Sequence, residues 1–497
     1  MAPITNPARG SADMPDGDAN ISSAVSRLRH APPFLLWLPV ACLAVLALVI
    51  RIRLAGANEF PTVDGVEYMV QARYLLDHGI PPFSCFPPGW PLLISVPLLW
   101  LDRSDPMALL RAAQGVNVVA GTLLVLLTFR LLRRRLGYPL ALLGMTVMAL
   151  LPENLILSKG DLSDTTYACG LLVSWLLYEK GRKGSAGLMF GLTYLIRPEA
   201  ILAGVALLAH EVWLTRKPPR AMILGLLVPI LPYLVFIRAA SGAWGLSSKD
   251  VALSQSLSAH PGLGYFALIR HNLTALAPLL TGMLGLPLVI LACWGLVRAR
   301  NRWLWMLLPL LPVPLIINPM VPRFWQPYVP FFLLGAGLAG KDLAGRIRTG
   351  RPLAAAVLVV LAMGGFYQAT RDDMIFVEQD TEAYYGLKDA GTWLRPRVQQ
   401  KTIIAAYKPY TSFWAGCRFT RLPDEDNTEA LVAWVRNSGA RYLIVNVLVA
   451  HTQRKALDPL LQKPLPKNLA DKLELVQLFQ YDLVEHNTAV YRVKQTP

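Results

Sequence analysis

The chain has 497 residues, 54% of them hydrophobic and only 16% charged, with a formal net charge of +16. Soluble domains carry about 25% charged residues, so this composition excludes an ordinary soluble protein and indicates a polytopic membrane protein. The basic excess argues against nucleic acid as a partner, because Arg and Lys fall in short runs between apolar segments and not along one aromatic-rich face.

Residues 1–32 are polar and rich in Pro, Gly, Ser and Asp, the composition of a disordered cytoplasmic tail. The apolar run Phe34–Ile50 exceeds a signal-peptide core, and Arg51 and Arg53 follow it with no cleavage site, so it reads as a span. Further spans are expected at 106–132, 137–153, 162–179, 186–197, 199–214, 221–239, 275–297, 303–319, 326–340 and 352–369, with the first at 33–53. That makes about eleven transmembrane helices. The short pair 186–197 and 199–214 is split at Arg197-Pro198-Glu199. With that split, the basic runs Arg130–Arg135, Lys180–Lys183, Arg216–Arg220, Arg298–Arg302 and Lys341–Arg351 all fall on the cytoplasmic side. The segments 54–105, Glu153–Ser163, Arg197–Glu199, 240–274 and Asn318–Trp325 then face outward.

The expected fold class is a polytopic α-helical membrane domain over 33–369 followed by a small extracytoplasmic α/β domain over 370–497. In the latter, Thr402–Ala406, Arg441–Val447 and Ala489–Val493 are strand-like, and 381–395 and 426–438 have helical patterns.

The stretch 52–91 organises the rest. As a helix it places Val66, Val70 and Tyr74 on one face, with Asp64, Glu67 and Tyr68 on a neighbouring one, and stops at Gly79 before Pro81-Pro82. This is an amphipathic helix lying along a membrane surface. Pro88–Leu101 reads as a second surface or re-entrant helix.

The outer face collects the ionisable groups. Asp64, Glu67, Glu153, Asp161, Asp164 and Glu199 offer carboxylates, and Arg197 and Arg323 offer guanidiniums at the ends of apolar spans. Charge at that depth faces a cavity and a partner. Acids with arginines at the lipid boundary suit an anionic lipid substrate, and sugar transfer from a polyprenyl-phosphate donor meets that description. The phosphate leaving group needs fixed positive charge, which an arginine fork supplies, and the acceptor needs a base.

Asp64-Gly65-Val66-Glu67-Tyr68, Ala72–Gly79 and Pro87-Pro88-Gly89-Trp90-Pro91 together resemble the first outer loop of the GT-C membrane glycosyltransferases. The branch is that of the protein O-mannosyltransferases and aminoarabinose (lipid A) transferases, including bacterial dolichyl-phosphate-mannose-protein-mannosyltransferase-like members. Leu195-Ile196-Arg197-Pro198-Glu199 resembles that group's R-P-E element, and Arg323-Phe324-Trp325-Gln326-Pro327 its late R-x-x-x-P segment. The resemblance implies Asp64 as catalytic acid-base residue and Asp161 or Asp164 as the second-loop acid. Glu67 would be a supporting acid, Arg197 and Arg323 donor-phosphate ligands, and Glu199 and Tyr68 orienting groups. Many relatives have Asp-Glu adjacent where this chain has Asp64-Gly65.

The implied partners are a polyprenyl-phosphate sugar donor and a lipid, glycan or protein acceptor, in a bacterial inner membrane with the site facing the periplasm. A lipid-linked sugar flippase or secondary transporter is the alternative. It would spread charges along the spans and show repeat symmetry. No cofactor is implied, although carboxylates are compatible with a divalent cation. His78, His260 and His271 lack metal-ligand spacing, and no Gly-rich nucleotide loop occurs. Cys85 and Cys417 lie outside together and could pair in an oxidising compartment.

Overall fold

The computed structural model describes residues 33–81, 83–84, 86–242, 244–245, 265–298, 322–346, 359–368, 371 and 384–494. The tail 1–32, the expected span 303–319, Cys85 and His260 lie outside these residues, as does most of the loop 240–274.

Helix α1 (Pro33–Ala57) leads into α2 (Val63–His78) and α3 (Gly89–Leu98) of the first outer loop, then α4 (Pro106–Leu136). Next come α5 (Tyr138–Leu150) and α6 (Pro152–Lys159), which meet at 53°. After them run α7 (Asp164–Glu179), α8 (Lys183–Ile196), α9 (Ala200–Thr215) and α10 (Arg220–Ser241). Beyond the loop lie α11 (Tyr265–Leu284), α12 (Leu286–Arg298), a 3-10 helix over Pro322–Tyr328, α13 (Val329–Arg346) and α14 (Val359–Gln368). Among the described residues, 3 helices are long and apolar enough to cross a membrane, or up to 5 if each bent pair is one span.

The break between α8 and α9 falls at 197–199, where the basic-loop parity requires it. The sequence reading takes 275–297 as one span, but α11 and α12 meet at 112°. Gly285, with φ of +80°, ends α11, and Pro287 follows it at the start of α12. Part of the expected second outer loop, Glu153–Ser163, is itself helical as α6.

Packing follows the membrane pattern. Along α10, Leu224, Val228, Leu231 and Val235 are exposed at helical spacing, whereas Met222, Leu226, Ile230, Tyr233 and Ile237 are buried. One stripe meets lipid and the other meets protein. Where α12 crosses α13, a methyl group on Gly295 would stand 1.8 Å from the Gly335 carbonyl oxygen, so only glycine permits this backbone approach.

The C-terminal part holds β1 (Ile403–Ala406), β2 (Arg418–Arg421), β3 (Tyr442–Asn446), β4 (Leu473–Phe479) and β5 (Thr488–Val493). The sheet order is β2-β1-β3-β5-β4, with β2, β1 and β3 parallel and β5 and β4 antiparallel. Between the strands lie α15 (Tyr385–Leu394, before β1), α16 (Tyr410–Ala415), α17 (Thr428–Asn437) and α18 (Val447–Gln453). On one face, Leu431, Val432 and Val435 of α17 pack with Ala405, Leu443 and Val445. The other face, with Ile404, Tyr442 and Val490, packs on α15 and α16 in a core continuous with the membrane helices. Lys388 pairs with Glu59, Arg395 with Asp105 at 3.4 Å, and Phe60 meets the Tyr385 ring at 4.8 Å. Helix α15, which flanks the sheet, is thereby clamped onto the segment 54–105.

Gly295→Val should force α12 from α13 and lower stability by about 1–3 kcal/mol, read as a fall in the thermal midpoint of purified protein in detergent. An unchanged midpoint would contradict this crossing.

Candidate active site

Thr62 is the N-cap of helix α2, and its hydroxyl accepts from the Gly65 N–H at 2.9 Å. Asp64 therefore stands half-buried in the first turn, where the helix dipole favours negative charge, and its carboxylate is not used for capping.

The second outer segment reaches the same spot. Asp161, 1% exposed, accepts from the Thr62 N–H and from the Thr62 hydroxyl, both at 2.8 Å. A methyl group on Gly65 would lie 1.9 Å from an Asp161 carboxylate oxygen. The missing side chain at position 65 is thus the space that Asp161 fills. Burial pushes the Asp161 carboxyl up to about 7 against the Thr62 hydrogen bonds, with the Asp64 charge adding to the rise.

The Pro87–Pro91 motif acts as a clip. Gly89 lies against the backbone of Leu195 and Ile196, where a Cβ would come within 2.5 Å, and the Trp90 indole N–H donates to the Asp161 carbonyl at 3.0 Å. One turn of α3 thereby holds the Asp161 loop and the end of α8 in fixed relation.

At that end sits Arg197, buried and ion-paired with Asp164 and with Glu199 at 3.5 Å. Its guanidinium carbon lies 5.4 Å from the Tyr167 ring centroid and 5.4 Å from that of Phe324. Its Nε–H is buried and has no hydrogen-bond partner among the described residues. The phenol of Tyr68 is buried on α2 and hydrogen-bonded to Ser163, within reach of the charges of Arg197, Asp64 and Asp164. Burial raises its pKa and keeps it neutral.

The 3-10 helix completes the cluster. Gln326 donates to Asn154 at 2.9 Å and to Thr165 at 3.3 Å, locking this turn onto α6 and α7. Arg323 lies 5.2 Å from the Phe324 ring, which is the same ring that Arg197 faces. The two arginines singled out in sequence share one aromatic neighbour.

Of the sequence candidates, Asp64, Tyr68, Asp161, Asp164, Arg197, Glu199 and Arg323 are drawn together. Glu67 is exposed and accepts from Gln71 at 3.2 Å, and among the described residues it makes no hydrogen bond or ion pair to this cluster. Asp164 and Glu199 compensate Arg197, whereas Asp161 accompanies Asp64. Among the described residues, no three His, Cys, Asp or Glu side chains are placed to hold a metal. Cys417 is a free thiol, and its expected partner Cys85 lies outside the described residues. The sequence reading missed Phe324, Tyr167 and Tyr410. Tyr410 begins α16 and is buried where the charges of Asp161 and Asp64 reach it. Phe324 was legible inside its motif, but nothing in local sequence links Tyr410 to a loop about 350 residues earlier.

Gly65→Ala should cost about 1–3 kcal/mol, and adding Asp161→Ala should recover part of it in a double-mutant cycle of thermal stability. Strict additivity would show that Gly65 and Asp161 do not contact.

Because folding raises the Asp161 pKa from about 4 to about 7, the fold binds the proton more tightly than the unfolded chain does. This group's contribution is full below about pH 4 and declines until about pH 7. Asp161→Asn should flatten that part of a midpoint-against-pH curve; an unchanged slope would refute the assignment.

With this geometry in hand, relatives can be compared. No protein-family model and no curated protein sequence matches the chain. Solved structures do. ArnT from Cupriavidus metallidurans bound to undecaprenyl phosphate is similar at a TM-score of 0.63 and 14% identity, covering 91% of this chain and 97% of that one. The Archaeoglobus fulgidus oligosaccharyltransferase tethered to an acceptor peptide gives 0.58 and 12%, covering 92% and 74%. AglB from the same organism, with an inhibitory peptide and a dolichol-phosphate, gives 0.56 and 13%, covering 85% and 70%. The chain shares the fold of these solved structures over about nine-tenths of its length.

Proposed function

We propose that the chain is an inverting glycosyltransferase that moves a sugar from a polyprenyl-phosphate-linked donor to an acceptor outside the cytoplasm. The observation that carries this reading is the meeting of Asp64 and Asp161 with Arg197 and Arg323, through Tyr68 and Phe324, at the rim of an apolar helix bundle. Solved proteins of this fold include one bound to undecaprenyl phosphate and one bound to dolichol-phosphate, which agrees with a lipid-phosphate donor.

The roles follow from chemistry. Asp64, half-buried and not engaged in capping, takes the proton from the acceptor hydroxyl or amine as it attacks the anomeric carbon. The bond from that carbon to the phosphate oxygen breaks in the same displacement, and the configuration inverts. Asp161 is largely desolvated and titrates near neutrality, so it holds a proton beside Asp64 and limits the negative charge of the pair. Arg197 is fixed by Asp164 and Glu199 before any substrate arrives. Its free Nε–H, together with Arg323, is available to the departing phosphate, where preorganised positive charge stabilises the leaving group. Tyr68 spaces the two halves. Glu67 stays a supporting acid at the exposed edge.

The topology that fits the basic runs places this site on the periplasmic side of a bacterial inner membrane, with about eleven spans and an outer α/β domain over 370–497. The 370–497 region then covers the site and contacts the acceptor.

Reconstituted protein incubated with polyprenyl-phosphate-linked sugars and cell-envelope acceptors should form glycosylated product. Asp64→Asn should reduce that rate about a hundred- to ten-thousand-fold while the protein still inserts and elutes as a folded species. Donor translocation across the vesicle by wild-type and Asp64→Asn protein alike, without product, would favour a flippase and end the transferase reading.

A further inference from the structure

The same helices that carry the site carry a second polar feature at their other ends. Asp164 opens α7 and Glu179 closes it; Lys183 opens α8, which runs to Arg197. The 16 residues of α7 span about 24 Å, so the two polar clusters lie at opposite ends of these helices. Between the far ends of α4, α7, α8 and α9 is a cavity of 720 Å³ lined by Arg134, Arg135, Tyr178, Glu179, Lys183, Glu211 and Leu214, among others.

Its walls are built. Glu179 pairs with Arg135 at 3.0 Å and with Arg134 at 3.6 Å. Glu211 is buried, pairs with Lys183, and accepts from the Tyr178 hydroxyl at 2.8 Å. Three cations therefore stand against two carboxylates in the lining. Around them, Arg130 and Arg182 add charge, and the Lys180 ammonium is pushed below its usual pKa, first by Arg130 and then by burial, Arg182 and Arg134. A lysine destabilised by like charges marks a locally positive potential among the described residues.

The rim has a different character. Leu214 lines the cavity, and next to it Val212 and Trp213 are exposed at 41% and 55% on the final turns of α9. A tryptophan beside leucine and valine at a helix end is the pattern of a side chain resting at the lipid interface. A free anion needs only the basic floor. A floor of arginines with an apolar lip suits an amphiphile.

We infer that this cavity is a binding site for the phosphate headgroup of an anionic phospholipid, on the opposite face of the bundle from the Asp64–Arg197 site. Arg134 and Arg135 grip the phosphate, in part exchanging contacts with Glu179, and the acyl chains leave past Leu214 and Trp213. The site does not depend on sugar transfer, and it would stand if the transferase reading failed.

The test uses full-length protein, purified in detergent, stripped of lipid and titrated with phosphatidylglycerol or phosphatidylcholine while bound lipid is read by native mass spectrometry. Wild-type protein should retain phosphatidylglycerol in preference to phosphatidylcholine. The double variant R134Q/R135Q should lose about tenfold in phosphatidylglycerol affinity, whereas Lys217→Gln, outside the cavity lining, should not. Leu214→Trp keeps every charge and narrows the mouth; it should weaken phosphatidylglycerol retention even if the double variant proves unstable. Equal retention of both lipids, or retention unaffected by Leu214→Trp, overturns the site. Displacement of phosphatidylglycerol by inorganic phosphate alone would make this a free-anion site and overturn the lipid assignment.

Discussion

The structure depends on keeping one guanidinium buried. A lone arginine at that depth costs several kcal/mol, and here the cost is offset by Asp164, Glu199 and the faces of Tyr167 and Phe324. Satisfying Arg197 ties the start of α7, the end of α8, the start of α9 and the 3-10 helix to one point. Truncating Arg197 would strand the buried Asp164 carboxylate and the half-buried Glu199, so its removal would report folding as much as chemistry. Charge compensation is thus concentrated on one side chain.

The acid side is arranged by the opposite logic, through absence of a side chain. Position 65 carries no side chain, and Asp161 comes in from the segment 153–163, held by the Thr62 N–H and hydroxyl. The second acid thus stands on a different element, with a pKa set by burial. Helix α3 fixes the Asp161 loop and the end of α8 through Gly89 and Trp90.

Much of this was legible in the sequence, for physical reasons. Apolar length and basic-loop parity located most helices and the break at Arg197-Pro198-Glu199, because lipid and membrane charge impose those patterns directly. Outer-rim acids and arginines stood out because charge at depth is expensive. What could not be read was pairing. The sequence left open whether Asp161 or Asp164 accompanies Asp64; only the fold shows Asp164 spent on Arg197 and Asp161 beside Gly65. The turn at Gly285 was missed because 275–297 is apolar throughout and a hydropathy window does not see a left-handed glycine. β2, with arginine at both ends, and β4, interrupted by an irregularity between Leu475 and Gln477, lack clean alternation and went unread.

The sheet's inner face carries one last consequence. Ile404, Tyr442 and Val490, with Phe413 and Trp414 above them, belong to a core that runs on into the membrane helices. A fragment cut near 384 would take the strands but leave behind the surface around Phe60 that Tyr385 and Lys388 rest against. Such a piece would bare an aromatic underside to water and self-associate, so the C-terminal portion is better regarded as the outer storey of a single building than as a detachable accessory.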